Sequence, residues 1–210
     1  YMLREDVVFD EAFGGNTWNL DGVKLCFEEG ELIVSGNGVR LENAAVNGTI
    51  RFIGENGVLM NSRASEVDDT STQGVWIESS VIGTVRLGAD GCVVEYCDVS
   101  TVICTGEPSA VNVLVAKNRV SQGVEMTGCG NSVALGNVFA GGAGLYIRSS
   151  SGMTAAENLF DAQGGLHLES CDTVLVTGNL AGGQAVMDGA LLGTERENEH
   201  VYGSNISGEG

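Results

Sequence analysis

The sequence predicts an all-β solenoid, a parallel β-helix, and three observations support that prediction. An asparagine recurs at Asn118, Asn137, Asn158 and Asn179, with steps of 19, 21 and 21 residues. Each unit holds two short stretches in which apolar and polar residues alternate between Gly, Asn and Ser, as in half-buried strands joined by turns. A repeat of about 21 residues is too short for a strand and a helix, but it suits one rung of a parallel β-helix.

Stacked rungs place like residues above one another, so the repeat also predicts the core. In the first stretch of each unit the inward pairs are Val102 and Cys104, Val124 and Met126, Leu145 and Ile147, Leu166 and Leu168, and Ala185 and Met187. In the second they are Val113 and Val115, Val133 and Leu135, Met153 and Ala155, and Val174 and Val176. The recurrent asparagines should form a side-chain ladder along the axis, made of Asn118, Asn137, Asn158, Asn179 and Asn205.

One pattern is shared by Gly144–Leu159 and Gly165–Leu180: a glycine, alternating apolar residues, a serine, and then an asparagine between apolar residues. This pattern resembles the right-handed parallel β-helix repeats of the pectin-lyase-like superfamily, most closely NosD-type repeats and those of carbohydrate-binding and sugar-hydrolase domains. The resemblance covers about residues 74–207. It implies a fold rather than an activity, because the motif residues build the coil.

The expected architecture is therefore a right-handed parallel β-helix of roughly eight to nine rungs in one domain. Residues 23–210 should form the helix, and residues 1–22, which lack the repeat, should form an N-terminal cap over the exposed core of the first rung. Because the chain starts at Tyr1 rather than Met, we expect that a signal peptide or part of a larger parent preceded it. Because Asn205 leaves little room for a C-terminal cap, we expect that another segment follows or that a second copy covers this end.

Composition excludes some classes of function. The net charge of −18 argues against nucleic-acid binding, which needs a basic surface. Met126–Ile147 carries no charge, but six glycines and two asparagines argue against a membrane span. The six cysteines show neither a Cys-x-x-Cys motif nor metal-ligand spacing, so we expect mostly free, buried thiols. The acidic surface suggests salt tolerance, calcium binding, or a neutral or cationic partner.

Three departures from the repeat are candidates for functional loops. The first is Glu66–Gly74, in which Glu66, Asp68 and Asp69 are possible calcium ligands. The second is an expansion between Trp76 and Cys97, and the third is Leu191–His200.

The outward positions of the first stretch should form two columns on one surface, the sheet that lines the saccharide groove in the superfamily that the repeats resemble. The candidate carbohydrate-binding residues in these columns are Trp76, Glu125, Tyr146, Arg148, His167, Glu169 and Asp188. Trp76 and Tyr146 would stack on sugar rings, and the others would form hydrogen bonds. A catalytic centre would consist of His167, Glu169, Arg148 and Tyr146, by general acid–base chemistry. The alternative is an ordinary polar sheet surface.

The sequence therefore favours an extracellular, cell-surface or periplasmic β-helix module that acts as a scaffold or binds carbohydrate. The second interpretation is a polysaccharide lyase or glycoside hydrolase. The third is a structural filament subunit. Signature blocks such as Gly-His-Gly, typical of polygalacturonases, are absent.

Overall fold

The computed structural model describes residues 2–106, 110–161, 163–181, 201–202 and 206–207. Its strands in chain order, β1 to β24, are Val7–Phe9, Thr17–Asn19, Lys24–Cys26, Leu32–Val34, Arg40–Glu42, Ala45–Phe52, Val58–Met60, Arg63–Asp69, Trp76–Glu78, Val81–Leu87, Val93–Glu95, Asp98–Thr105, Leu114–Ala116, Arg119–Thr127, Val133–Leu135, Val138–Phe139, Gly144–Arg148, Ser151–Ala156, Leu159–Phe160, Leu166–Glu169, Asp172–Thr177, Leu180–Ala181, Val201–Tyr202 and Ile206–Ser207. One 3-10 helix, Glu11–Phe13, lies between β1 and β2.

These strands form a parallel β-solenoid of about eight rungs, which confirms the predicted fold class. One sheet of 14 strands includes the order β4-β6-β8-β10-β12-β14, and a second of 10 strands includes β5-β7-β9-β11-β13-β15-β18-β21. Each rung therefore contributes to both sheets before the chain moves to the next rung. We call the larger one the bent sheet, because its strands bend part-way along. No described helix is long and apolar enough to cross a membrane.

The core lies between the two sheets. In the bent sheet the predicted inward pairs from Val102 to Leu168 are all buried, so the predicted facing is confirmed there. In the second sheet it is wrong for one rung, because Val115 is in register with Ala134 and Ala155. Ala134 is thus buried, whereas Val133 and Leu135 face outward. Ala185 and Met187 lie outside the described residues.

The corner between the second sheet and the bent sheet carries the asparagine ladder. Asn118 Nδ2 donates to Asn137 Oδ1 at 3.1 Å, Asn137 Nδ2 to Asn158 Oδ1 at 3.0 Å, and Asn158 Nδ2 to Asn179 Oδ1 at 2.9 Å. Each Oδ1 also accepts from the backbone N–H of the previous rung's residue. The ladder therefore satisfies buried polar groups that the corner would otherwise leave unpaired. Asn205 lies outside the described residues.

The same corner column continues toward the N-terminus with shorter side chains. Backbone N–H groups bond across rungs from Ala44 to Ser62 Oγ, from Ser62 to Ser80 Oγ, and from Ser80 to Cys97 Sγ, at sequence separations of 18, 18 and 17. The steps from Cys97 through Asn118, Asn137 and Asn158 to Asn179 are 21, 19, 21 and 21. The N-terminal rungs, with 17 or 18 residues each, are thus shorter than the asparagine repeat of 19 to 21 residues.

This shortening corrects two predictions. The first part of Glu66–Gly74 is not a loop, because Glu66–Asp69 belongs to strand β8. The rung between Trp76 and Cys97 is not expanded, since β9 and β11 pair directly in the second sheet. The rungs here are 17 or 18 residues long, so the period of about 21 residues does not apply to this stretch. The third departure, Leu191–His200, lies outside the described residues.

The bend in the larger sheet comes from consecutive outward residues within single strands. Ala64 and Val67 both face the core, and Ser65 and Glu66 between them face outward. The same pattern recurs around Ser100 in β12, where the pairing register shifts between Val99 and Thr101. In the later rungs Ala140–Ala143 separates β16 from β17, so the strand divides in two.

Residues predicted to form the cap contribute the terminal strand of each sheet. Strand β1 pairs with β4, and β2 pairs with β5. Phe13 packs edge-on against Phe9, with ring centroids 5.0 Å apart, and lies 4.9 Å from Trp18. These partly buried rings pack against the core.

None of the six cysteines is disulfide-bonded, and all except Cys26 are buried, as expected.

Candidate functional site

The polar residues predicted on the outer wall lie on strands β14, β17 and β20 of the bent sheet. Glu125 is in register with Tyr146, and Tyr146 with His167. Arg148 lies in register between Thr127 and Glu169. The structure therefore brings five of the seven predicted wall residues onto one surface.

Arg148 pairs the two carboxylates of this wall. Its Nη1 lies 2.8 Å from Glu125 Oε1, and its Nε lies 3.2 Å from Glu169 Oε2. Its guanidinium carbon lies 5.5 Å from the Tyr146 ring centroid. The side chains of Arg148 and Glu125 are 43% and 42% exposed, so solvent screens these pairs. Both acids are engaged with the arginine, which leaves neither as an isolated carboxylate.

The rings of Tyr146 and His167 stack on each other. Their centroids are 4.6 Å apart and their planes differ by 6°. Gly144 leaves room for the tyrosine, since a Cβ there would lie 3.0 Å from Tyr146 Cε2. The imidazole therefore covers one face of the phenol ring, and that face is not available to a sugar.

Trp76 does not lie on this wall, so the prediction that it shares a surface with Tyr146 is wrong. Trp76 lies on β9 of the second sheet, in register with Val58 and Val93. The column of Tyr146 continues instead through Ile103, Arg86 and Asp68. The pattern of a glycine followed by apolar, any and apolar residues occurs in strands of both sheets. The pattern around Trp76 therefore does not show to which sheet this residue belongs. Asp188 lies outside the described residues.

The three possible calcium ligands do not converge. Glu66 Oε1 lies 2.6 Å from Arg86 Nε, and Asp68 Oδ2 lies 3.7 Å from Arg51 Nη1. Burial raises the pKa of Asp68, and Arg51 partly offsets that rise. Asp69 points to the opposite side of the strand and is only 2% exposed. Within the described part of the chain, no group of three or more acidic, His or Cys side chains could hold a metal ion.

Asp69 is a polar residue in the apolar core, in a column between Phe52 and Leu87. Its Oδ1 accepts from the backbone N–H and hydroxyl of Ser71, and its Oδ2 accepts from Cys92 Sγ at 3.0 Å. Burial first, and then the charge of Asp69, raise the pKa of the Cys92 thiol. A thiol with a raised pKa is a poor nucleophile, so we do not assign a catalytic role to Cys92. The hydrogen bonds of Asp69 to Ser71 and Cys92 instead hold the connection that follows β8.

A groove runs along the bend of the larger sheet, on its outer side. It has a volume of about 600 Å³. We call it the axial groove, and its lining is Lys24, Ala45–Asn47, Arg63–Ser65, Val81–Gly83 and Asp98–Ser100. Asn47, Ser65 and Ser100 supply amide and hydroxyl groups from separate rungs, with strands about 4.8 Å apart. Gly83 occupies the corresponding place on β10, so Asn47 and Ser65 lie one strand apart and Ser65 and Ser100 lie two strands apart.

The groove also carries basic side chains that have no acidic partner. Among the described residues, Arg4, Arg40, Arg51, Arg86 and Arg148 each form an ion pair with a carboxylate. Lys24 and Arg63 in the groove form none there, nor does Arg119, which is in register with Asp98 and continues the outward column of Arg63. The same column also holds the carboxylate of Asp98, so it carries three cations and one acid in a chain whose net charge is −18.

The sequence analysis did not identify this groove. A usable signal was present, because two polar residues between two apolar ones recur as Ala64–Val67 and Val99–Val102. That pattern breaks strict alternation and indicates a bent strand.

Comparisons with known proteins do not assign this chain to a family: no family model, curated protein or solved structure matches it. The solenoid architecture therefore rests on the strand pairing described above, and membership of the pectin-lyase-like superfamily stays a prediction.

Proposed function

We propose that this protein is an extracytoplasmic carbohydrate-binding module whose ligand lies in the axial groove. The observation that carries the proposal is the set of three unpaired cations, Lys24, Arg63 and Arg119, beside a row of hydroxyl and amide groups. All three side chains are exposed, so they are free to pair with a ligand that carries anionic groups, through charge-assisted hydrogen bonds.

The shape of the groove supports an extended ligand. Its lining comes from corresponding positions of β6, β8, β10 and β12, and three of these four strands place an amide or hydroxyl group there, whereas β10 has Gly83. A polysaccharide also presents a repeated row of hydroxyl groups. An anionic polysaccharide therefore fits both the repeat and the charge of the groove.

Long-range electrostatics limits the strength of this binding. The net charge of −18 repels an anionic polymer at a distance, whereas the groove cations attract it at contact. Salt screens both effects, with a Debye length of about 8 Å at physiological ionic strength. We therefore expect moderate affinity that requires several sugar units.

The test is a panel of neutral and anionic polysaccharides, measured by affinity electrophoresis. The variant Lys24→Ala/Arg63→Ala should lose most binding to the anionic members. The matched control Arg4→Ala/Lys117→Ala removes two positive charges outside the groove and should bind as the wild type does. Equal weakening by both variants, or no binding by the wild type, would contradict the proposal.

The same incubations test the enzymatic interpretation. New reducing or unsaturated ends would reveal a hydrolase or a lyase. If His167, Glu169, Arg148 and Tyr146 formed a catalytic centre, His167→Ala would abolish those products. We expect polysaccharides to be bound without cleavage, because both carboxylates of that wall are paired with Arg148.

A further inference from the structure

The outer face of the second sheet carries an apolar stripe that the proposed function does not use. Its members occupy one outward column in five successive rungs: Val58, Trp76, Val93, Leu114 and Val133. Trp76 is 47% exposed, and the other four are half-buried. Outward positions of a solvated sheet are normally polar, so a continuous apolar column indicates an interaction surface.

Two glutamates border the stripe beside its tryptophan. Glu78 and Glu95 are in direct register on β9 and β11. Neither forms an ion pair among the described residues, although like charges directly opposite each other destabilise a sheet. In the same column, Met60 lies one rung before Glu78, and Glu42 lies one rung before Met60. Glu42 forms an ion pair with Arg40. The unpaired acids are thus concentrated beside Trp76 and Val93.

We propose that this face docks a basic polypeptide segment of a partner protein, one that presents apolar and Lys or Arg side chains together. The apolar side chains would cover Trp76 and Val93. The cations would neutralise Glu78 and Glu95, and one of them would also contact the exposed indole ring by a cation–π interaction. Five rungs at about 4.8 Å span roughly 20 Å, which an extended segment of about six residues covers.

Charge complementarity selects this occupant over the alternatives. A second copy of this chain would bring another net charge of −18 against the glutamate pair. An anionic membrane surface would be repelled in the same way. A basic segment removes the repulsion between Glu78 and Glu95 while it buries the stripe.

The experiment uses three labelled 12-residue peptides: alternating Leu and Lys, alternating Ser and Lys, and alternating Leu and Ser. Fluorescence anisotropy would be measured against the wild type at peptide concentrations shown to be monomeric. The Leu–Lys peptide should bind, and each of the other two should bind at least about tenfold more weakly. The Ser–Lys peptide cannot cover the apolar stripe, and the Leu–Ser peptide cannot neutralise Glu78 and Glu95. Binding should fall as salt is raised.

Variants then locate the site. Trp76→Ala and Glu78→Gln/Glu95→Gln should each weaken binding of the Leu–Lys peptide by about tenfold or more. The matched control Glu5→Gln/Glu29→Gln removes two exposed charges near the N-terminal end and should change it by less than about twofold. The glutamine pair removes a like-charge contact, so its thermal midpoint should not fall, and loss of binding cannot be attributed to unfolding.

Several outcomes would overturn the proposal. They are equal weakening by the control pair, equal binding of the Ser–Lys peptide, or no binding of the Leu–Lys peptide. Loss of polysaccharide binding in Trp76→Ala would also overturn it, because the face would then belong to a sugar site. Lys24→Ala/Arg63→Ala should bind the peptide as the wild type does, which separates this surface from the axial groove.

Discussion

The N-terminal and C-terminal rungs of this solenoid use different residues at the corner between the sheets and at the bend of the larger sheet. At the corner, the early rungs use Ser62, Ser80 and Cys97, and the later rungs use asparagine. At the bend, two outward residues, Gly83 and Thr84, separate the buried Ile82 from the buried Val85 in β10, whereas Ala140–Ala143 separates β16 from β17. The early rungs therefore form a tight groove, and the later rungs carry a wider outer wall.

The asparagine corner satisfies more groups than the serine corner does. Asn137 donates to Asn158 Oδ1 and to the Val115 carbonyl, and it accepts from the backbone and side chain of Asn118. Ser80 only accepts from the backbone N–H of Ser62 and donates to the carbonyl of Glu78. The two halves should therefore differ in how strongly they depend on this column.

The largest expected effect is that of Asn137→Ala. It leaves the buried N–H of Asn118 and the carbonyl of Val115 without these partners, at about 1–3 kcal/mol for each group, so unfolding should become easier by about 3 kcal/mol or more. Ser80→Ala should cost about half as much. Urea unfolding measures both, and equal losses would show that the corners are equivalent.

Gly83 in β10 and Gly123 in β14 should differ in their tolerance of a methyl group. A Cβ at Gly83 would overlap the backbone carbonyl oxygen of Ser65, whereas one at Gly123 would lie 3.2 Å from the carbonyl oxygen of Gly144. We expect Gly83→Ala to destabilise the protein by about 2 kcal/mol and to weaken ligand binding in the axial groove. Gly123→Ala is the matched control, expected to cost less than about 1 kcal/mol. If the two variants unfolded at the same urea concentration, the early bend would not be the tighter one.

The contrast between the halves also explains what the sequence could predict. The repeat was readable because Asn137, Asn158 and Asn179 are chemically distinctive and evenly spaced. Serine and cysteine perform the same corner role in shorter rungs, but they leave no recognisable period. The fold class therefore followed from the later rungs alone.

The site was harder to predict for a physical reason. Strict alternation identifies a face only where the outward residues are polar, and the outer column of the second sheet is apolar. Val133 and Leu135 therefore looked like core residues, while Ala134 was the buried one. The residues around Trp76 follow the same short pattern as strands of the bent sheet, so the pattern alone does not distinguish the two sheets. The axial groove is notable because Lys24 and Arg63 form no ion pair among the described residues. Whether a basic side chain has an acidic partner cannot be read from the sequence.

The smallest expected effect concerns the divided strand of the later rungs, which Asp161 holds together. Its carboxylate accepts from the backbone N–H groups of Gly142, Gln163 and Gly164. These bonds, the one from Gly142 first, lower the pKa of Asp161 below its usual value near 4. The stabilisation is therefore fully present above the unfolded pKa and is lost as the pH falls through the lower, folded pKa.

Amide hydrogen exchange would detect this loss. Once the intrinsic pH dependence of exchange is removed, protection of Gly142 and Gly164 should decrease as the pH falls below about 4, while protection in the strands β8 and β10 stays constant. Asp161→Asn should show the reduced protection at neutral pH already and should lose the pH dependence. If the variant kept the wild-type protection and pH profile, the carboxylate would not be what joins the two loops, and the wider bend would depend on backbone pairing alone.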